Sequence, residues 1–265
     1  MWRRRKSKKR FFGNLGKIYW AIPFLLVAIF TSLSLKLGLF TIKQFEMQTN
    51  QLGCVNENQL KNSTGLLGQN FFLANFDNII KNLKEKFICI KDINLSLDFP
   101  DKIKIQAIGR QPVASLMLLK DREATISSFL ENVATPSAEP SSEAYLTDDE
   151  GIIFSKDTGG LNIPNIFIKD LDLSLSKKPG DKIEDSLKIM AGVKTFGLDV
   201  KTAIILDNFF IIFSHPRVIF RLDNKLDIQL ASLQLILAEA KIDFKELEFI
   251  DLRFDKPIVR FAPKK

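Results

Sequence analysis

The sequence predicts an α+β protein that is held in a membrane by a single N-terminal helix and carries two mixed domains beyond it. Three observations support this fold class. An uncharged apolar run at 18–35 follows a strongly basic start. Up to residue 110, segments with apolar residues at helical spacing are followed by segments in which apolar and polar residues alternate. In the rest of the chain, short apolar runs separated by turn residues predict strands. With 265 residues, 46% of them hydrophobic, the chain can build two modest domains, each with its own core.

The apolar run is long enough to cross a bilayer once. Its 18 residues would form a helix of roughly 27 Å, close to the ~30 Å hydrocarbon core when residues up to 37 are added. Residues 1–17 carry eight Lys and Arg and no acidic residue, which predicts a cytoplasmic tail at 1–17, a transmembrane helix at 18–37 and an outside location thereafter. The alternatives are a signal peptide cleaved near Ser32–Ser34, for which the run is long, and a buried core helix, which would not carry cations on one flank alone.

The basic character of the chain is confined to this tail. The formal net charge is +7, but the tail holds 8 of the 38 Lys and Arg, and the remaining 30 face 31 acidic residues. The charge therefore indicates membrane topology and contact with lipid headgroups, and predicts no binding to nucleic acid.

Two cysteines, Cys54 and Cys89, would both lie outside the membrane, where a disulfide is permitted. The sequence leaves open a bridge or two small buried thiols, and we favour the thiols. Neither cysteine has a neighbouring His or Cys, so no zinc site is predicted.

Residues 38–110 predict the order strand, helix, helix, strand, strand. Asn56 and Gln59 form a capping box for the first helix, and apolar residues spaced by three or four mark the second. The strands show alternation of apolar and polar residues, with a shift of phase in the first strand that suggests a bulge. The expected elements are a strand at 40–47, helices at 57–67 and 76–87, and strands at 93–97 and 103–107.

Three local motifs accompany these elements. Gly68-Gln69-Asn70-Phe71 precedes the second helix, Phe99-Pro100-Asp101 separates the last two strands, and Arg110-Gln111-Pro112-Val113-Ala114 follows them. In this order, directly behind one anchor, the motifs resemble the POTRA domain of the FtsQ/DivIB bacterial cell-division proteins. That family usually has a Glu where this chain has Gly109. The residues that carry the resemblance are Gly68, Asn70, Phe71, Pro100, Arg110, Pro112 and Ala114.

Residues 111–265 predict a mainly antiparallel β-domain with packed helices, which the resemblance identifies as similar to the FtsQ-type β-domain. Ser, Pro, Ala and Glu dominate a flexible insertion at about 126–143. An acidic turn at 148–151 joins two strands, and three short apolar runs between 203 and 222 form an antiparallel meander. Apolar residues at helical spacing predict helices that begin at about 181 and 226.

No pattern of residues in the chain indicates an enzyme. His215 is the single histidine and lies in a predicted turn, and no nucleophile elbow, phosphate-binding loop or dinucleotide fingerprint occurs. Asp148, Asp149 and Glu150 are adjacent in a turn, where their carboxylates repel one another, so we interpret them as turn residues and not as a metal site. We therefore predict no catalytic, cofactor-binding or metal-binding residue.

The C-terminal segment 249–261 is the predicted interaction site. Ile250, Leu252 and Phe254 are expected on one face of a strand and Asp251 and Arg253 on the other. A strand at the edge of a sheet can recruit another chain by strand addition. In the family that this segment resembles, the region docks FtsB with FtsL alongside, although Phe254 lacks the hydroxyl of the more usual Tyr. The predicted partner-binding residues are Phe249, Asp251, Arg253, Phe254, Ile258, Val259 and Phe261.

The resemblance implies a cell-division scaffold in the plasma membrane at the septum, with its C-terminus outside the cytoplasm. Such a scaffold would bind FtsB/FtsL-like partners, help to recruit and regulate septal peptidoglycan synthesis, and engage an FtsK-like or other divisome protein through the POTRA domain. One alternative is a POTRA protein of secretion or outer-membrane assembly, although fewer than 160 residues follow Gly109, too few for the usual barrel. The other is a membrane-anchored cell-wall enzyme, which would need a nucleophile or paired carboxylates.

Overall fold

The computed structural model describes residues 23–30, 32–33, 40–50, 52–119, 126, 129, 143–169, 181–222, 225–238 and 247–262. These residues form two compact units. The first unit contains the described residues up to Asn50 together with Val55–Lys86 and Asp92–Ala107. The second contains 52–54, 87–91 and the described residues from Ile108 onward.

The predicted membrane span is described only in part. Residues 23–30 and 32–33 are helical, and their large apolar side chains are exposed. Among the described residues, no helix combines the length and the hydropathy that crossing a bilayer requires. The basic tail and most of the predicted insertion at 126–143 lie outside the described residues.

The first sheet follows the predicted order of strand, helix, helix, strand, strand, and its spatial order is β1-β3-β2. The core between this sheet and its two helices includes the buried apolar side chains of Ile42, Leu60, Leu83, Ile103 and Ile105. The elements are β1 (Gln44–Asn50), α1 (Glu57–Thr64), α2 (Phe76–Lys86), β2 (Ile90–Asp98) and β3 (Lys102–Gly109).

The ends of α1 show how the sequence sets its length. The Asn56 side chain accepts a hydrogen bond from the Gln59 amide at 2.8 Å, and the Gln59 side chain accepts one from the Asn56 amide at 3.2 Å, which confirms the capping box. The helix ends at Thr64, three residues earlier than predicted, because Gly65 takes the left-handed conformation with φ of 62°.

Cys54 and Cys89 form a disulfide with their Cα atoms 6.3 Å apart. Our preference for two free thiols was therefore wrong. Cys54 is exposed in the loop after β1, whereas Cys89 is buried just before β2. The two residues are 35 positions apart, and only the folded chain brings them together.

The second unit contains a nine-stranded sheet with the order β12-β11-β10-β9-β8-β7-β4-β5-β6. Helix α3 (Asp181–Thr195) lies between β7 and β8 in the chain, and helix α4 (Leu226–Ala238) lies between β10 and β11. The strands are β4 (Ala114–Leu118), β5 (Tyr145–Thr147), β6 (Ile153–Lys156), β7 (Asn165–Ile168), β8 (Thr202–Leu206), β9 (Phe209–Ile212), β10 (Arg217–Arg221), β11 (Leu247–Asp251) and β12 (Ile258–Phe261).

This sheet is mixed: five of its strand pairs are antiparallel, in line with the mainly antiparallel domain that we predicted, and three are parallel. The β8-β9-β10 meander is antiparallel as expected. The pairs β4–β7, β7–β8 and β10–β11 are parallel. For β7–β8 and β10–β11 the parallel pairing arises because α3 and α4 are crossover connections, which return the next strand in the same direction.

Apolar side chains are buried on both faces of the sheet. One face packs against α3 and α4 through residues such as Ile183, Val193 and Leu233. The opposite face buries Ile204, Ile211 and other residues in a smaller cluster. Because both faces are covered, the central strands are continuous apolar runs without alternation.

Candidate partner-binding edge

Strand β12 lies at one end of the nine-stranded sheet. It pairs with β11 in antiparallel register, with Ile250 opposite Val259 and Asp251 opposite Ile258. No described strand lies on its other side, so its outer backbone groups have no strand partner in the described part of the chain. An edge of this kind can accept an added strand.

Two apolar side chains of β12, Ile258 and Phe261, are half exposed, and because they are three positions apart in the strand they lie on opposite faces of the sheet. Ile258 and Phe261 are each 49% exposed, whereas Val259 packs against the main core. Arg260 lies over the ring of Phe249 at 5.8 Å, and its Nε is 3.0 Å from Glu248 Oε2. Phe249 itself packs against the smaller cluster on the opposite face from α4. Of the predicted site residues, Ile258 and Phe261 are thus exposed at the edge, whereas Val259 and Phe249 pack against the hydrophobic clusters of the sheet.

Asp251 ends β11, and it forms a tightly bonded pair with Arg253 in the turn that follows. The Asp251 carboxylate is buried and accepts hydrogen bonds from Arg253 Nε at 2.9 Å and from the second guanidinium nitrogen at 2.6 Å. The hydrogen bond to Asp251 raises the pKa of Arg253, despite the opposing effect of burial. The guanidinium also lies 5.5 Å from the ring centre of Phe209 and 5.4 Å from that of Phe254. The guanidinium is therefore held in a fixed position beside Phe254.

We had expected Phe254 to lie on the same face of a strand as Ile250 and Leu252, but its environment differs from theirs. Ile250 and Leu252 are buried, but the Phe254 side chain is 54% exposed. The strand ends at Asp251, so the alternation of faces does not continue to residue 254. As a result, Phe254 stands on the surface, where a partner can reach it.

A groove beside this turn contains residues that the sequence analysis missed. Gln229, on α4, is buried, and its side-chain amide accepts from the Arg221 backbone N–H and donates to the Arg221 carbonyl, both at 2.8 Å. These bonds attach α4 to the end of β10. The sequence contained one signal for Gln229: it is a polar residue three positions after Leu226, which places it on the apolar face of the helix. The groove is lined by Arg221, Lys225, Ile228, Gln229, Ser232, Leu252, Arg253, Phe254, Asp255 and Pro257.

Four residues of the predicted POTRA motif come together in the first unit. Gly68 has φ of 79°, and its amide donates to the Ile42 carbonyl. The Asn70 side chain accepts from the Phe72 amide at 3.0 Å, and the rings of Phe71 and Phe99 are 5.0 Å apart. Pro100 follows Phe99 in the turn between β2 and β3.

The other three motif residues belong to the second unit. Ala114 begins β4 and is buried, and Pro112 is half-buried just before it. Arg110 donates to the Ile88 carbonyl at 3.0 Å, to Glu150 at 2.9 Å and to the carboxylate of Asp148. Burial lowers the pKa of Arg110, but its hydrogen bonds to Glu150 and Asp148 outweigh that effect and raise it.

The acidic turn between β5 and β6 has a structural role. Asp148 is fully buried, and one carboxylate oxygen accepts the backbone amides of Ile152 at 2.8 Å and Glu150 at 3.1 Å. Asp149 instead pairs with Lys91 at 2.6 Å. Neighbouring carboxylates in the turn thus point to different partners, and no metal-binding group of His, Cys, Asp or Glu is found among the described residues.

The C-terminal edge can hold an extended chain by backbone hydrogen bonds, with apolar anchors at Ile258, Phe261 and Phe254 and a fixed guanidinium at Arg253. In comparisons with known proteins, no family model matches the chain, and no curated protein matches it significantly.

Proposed function

We propose that this protein is a non-enzymatic cell-division scaffold of the FtsQ/DivIB type, anchored in the plasma membrane. It binds FtsB/FtsL-like partners at the septum by adding their chain to β12. The observation that carries this proposal is the position of β12 at the end of the sheet, with Ile258 and Phe261 half exposed. The motifs that resemble this family support the assignment.

Strand addition fits the chemistry of the edge. An added strand would pair with the outer backbone groups of β12, and its alternate side chains would meet Ile258 and the neighbouring aromatic residues. Arg253 is already held by Asp251 and two rings, so little side-chain entropy is lost when a partner carboxylate approaches it. The energy of binding would therefore be concentrated in a few aromatic and Arg anchors.

The disulfide supports an extracytoplasmic location for the folded units. Disulfides persist in oxidising compartments and are rare in the cytosol. Cys54 and Cys89 are paired, and both follow the apolar run that we expect to be the anchor. In this arrangement the first unit is next to the membrane, where it can engage an FtsK-like or other divisome protein.

A binding measurement on the full chain in lipid nanodiscs tests the proposed edge. The probe is the extracytoplasmic fragment of an FtsB-like protein from the same cells. We expect Phe254→Ala and Phe261→Ala each to weaken binding by more than ~1 kcal/mol, or about fivefold in Kd. The matched control is Leu161→Ala, because Leu161 is 50% exposed, close to the 49% of Phe261.

Unchanged affinity for both aromatic variants would exclude the edge as the docking site. A fluorescent fusion provides a separate test of the cellular role. A band at midcell in dividing cells is the expected result, and a uniform envelope signal would contradict the assignment to cell division.

A further inference from the structure

The first unit carries an aromatic patch that the proposed partner edge does not use. We define the aromatic patch as Phe40, Phe71, Phe72, Leu73 and Phe99. The ring of Phe40 lies 5.1 Å from that of Phe72 and 6.0 Å from that of Phe99. Phe71 completes the cluster, with its ring 4.5 Å from that of Phe72. The edge-on geometry of these pairs is the favourable arrangement for aromatic rings.

Much of this patch faces solvent. Phe72 is 64% exposed, Leu73 81% and Phe99 61%, whereas Phe71 is buried beneath them. Single exposed apolar residues are ordinary, but several large ones in contact mark an interaction surface. The patch therefore needs a specific explanation.

Backbone hydrogen bonds hold the patch in place. The Phe71 amide donates to the Phe40 carbonyl at 3.0 Å, and the Leu73 amide donates to the Asn70 carbonyl at 3.0 Å. The Phe72 amide donates to the Asn70 side chain at 3.0 Å. The exposed side chains of Phe72 and Leu73 thus project from a fixed turn, whose geometry is set by the Gly68–Phe71 motif.

The position of Phe40 in the chain limits what the patch can reach. Phe40 is four residues after Lys36, the first charged residue beyond the apolar run. Four residues span at most roughly 14 Å when fully extended. The polar layer on each side of a bilayer is about 5–8 Å thick. If the run is the anchor, Phe40 can lie only a short distance beyond the headgroups.

We propose that the aromatic patch docks on the outer surface of the lipid bilayer, with Phe72, Leu73 and Phe99 entering the interface. Phe and Leu are suited to the boundary between headgroups and acyl chains. The short tether keeps the patch at the membrane, so no separate partner is needed to bring it there. This proposal rests on the anchor of the proposed function, and it gives the first unit a fixed orientation on the membrane.

Fluorescence quenching by brominated lipids tests this contact in the full chain. The only two tryptophans, Trp2 and Trp20, are first replaced by Phe. A single reporter is then introduced as Phe72→Trp, and the protein is reconstituted in phosphatidylcholine vesicles with bromine near the headgroup end of the acyl chains. The matched control is the same variant in vesicles of phosphatidylcholine without bromine.

We expect brominated lipid to reduce emission of the reporter at 72 at least about twofold relative to lipid without bromine, since interfacial side chains lie ~5–10 Å deep. No quenching at 72, in vesicles that float with the protein, would overturn the docking and leave the anchor intact. Failure of the protein to float with vesicles after alkaline washing would overturn both. If Phe72→Trp disturbs folding, Leu73→Trp, at the most exposed position of the patch, provides the same measurement.

Discussion

The guanidinium of Arg110 donates a hydrogen bond to the carboxylate of Asp148, which is fully buried in the turn between β5 and β6. The same guanidinium bonds to the Ile88 carbonyl and to Glu150. One side chain thus joins three segments of the second unit that are far apart in sequence.

Replacing Arg110 should destabilise the protein strongly. Arg110→Ala leaves Asp148 as a buried charge without its cationic partner, and we expect a loss of about 3 kcal/mol in the free energy of unfolding. Lys91→Ala is the control, because the Lys91–Asp149 pair is more exposed and should contribute less than ~1 kcal/mol. Denaturant titrations measure both, and a loss from Arg110→Ala no larger than the control would contradict the role assigned to this pair.

Gln229 should stabilise the junction between α4 and β10. Gln229→Ala leaves the Arg221 N–H and C=O without their side-chain partner, at a cost of about 2 kcal/mol. It should also speed hydrogen exchange at the Arg221 amide. Gln234→Ala tests the same substitution at an exposed position of the same helix and should change neither quantity. Unchanged exchange at Arg221 in Gln229→Ala would show that the amide does not depend on this bond.

The disulfide should contribute measurably to stability. It closes a loop between residues 35 positions apart, for which the chain-entropy relation gives about 3–4 kcal/mol. The double variant Cys54→Ser, Cys89→Ser should lose stability of this order, and a reductant should have no further effect on it. Alkylation of the native protein provides an independent check: a thiol that reacts before reduction would show that the bridge is absent.

The Lys91–Asp149 pair should make a small, pH-dependent contribution to stability. The hydrogen bond from Lys91 lowers the pKa of Asp149 below its ordinary value of about 3.9, and the same bond raises the pKa of Lys91. The contribution of Asp149 to the free energy of unfolding is therefore present above about pH 4 and is lost as the pH falls through the pKa of Asp149 in the folded state.

The stability difference between the protein and Asp149→Asn should accordingly be below ~1 kcal/mol at pH 7, because the pair is exposed, and should shrink in acid. Unfolding titrations at several pH values between about 2 and 7 measure it. In a Lys91→Ala background the pH dependence should largely disappear, and its persistence there would assign it to another group.

Local patterns in the sequence were sufficient to predict much of the fold. The capping box at Asn56 and Gln59 placed the start of α1, and apolar spacing placed α2, α3 and α4. The meander β8-β9-β10 followed from turn residues between apolar runs. These features are determined by neighbouring residues, so a single sequence contains the information.

Contacts between distant segments were not predictable in the same way. Parallel pairing of β10 with β11 depends on the crossover through α4, and an apolar strand has the same pattern in either direction. The cysteines pair through the loop after β1 and the start of β2, and the Arg110–Asp148 bond joins residues 38 positions apart. At the candidate edge, the resemblance indicated the segment, but the exposure of Phe254 depended on where β11 ends.

The place of β12 in the sheet also has a consequence for biosynthesis. The strand borders only β11, and β11 is reached only after α4 has carried the chain across the sheet to lie beside β10. A ribosome must therefore translate beyond Phe261 before the proposed binding edge can form. A product terminated before Ile258 would lack β12, so the proposed recruitment through this strand would select molecules in which β10, β11 and β12 have assembled.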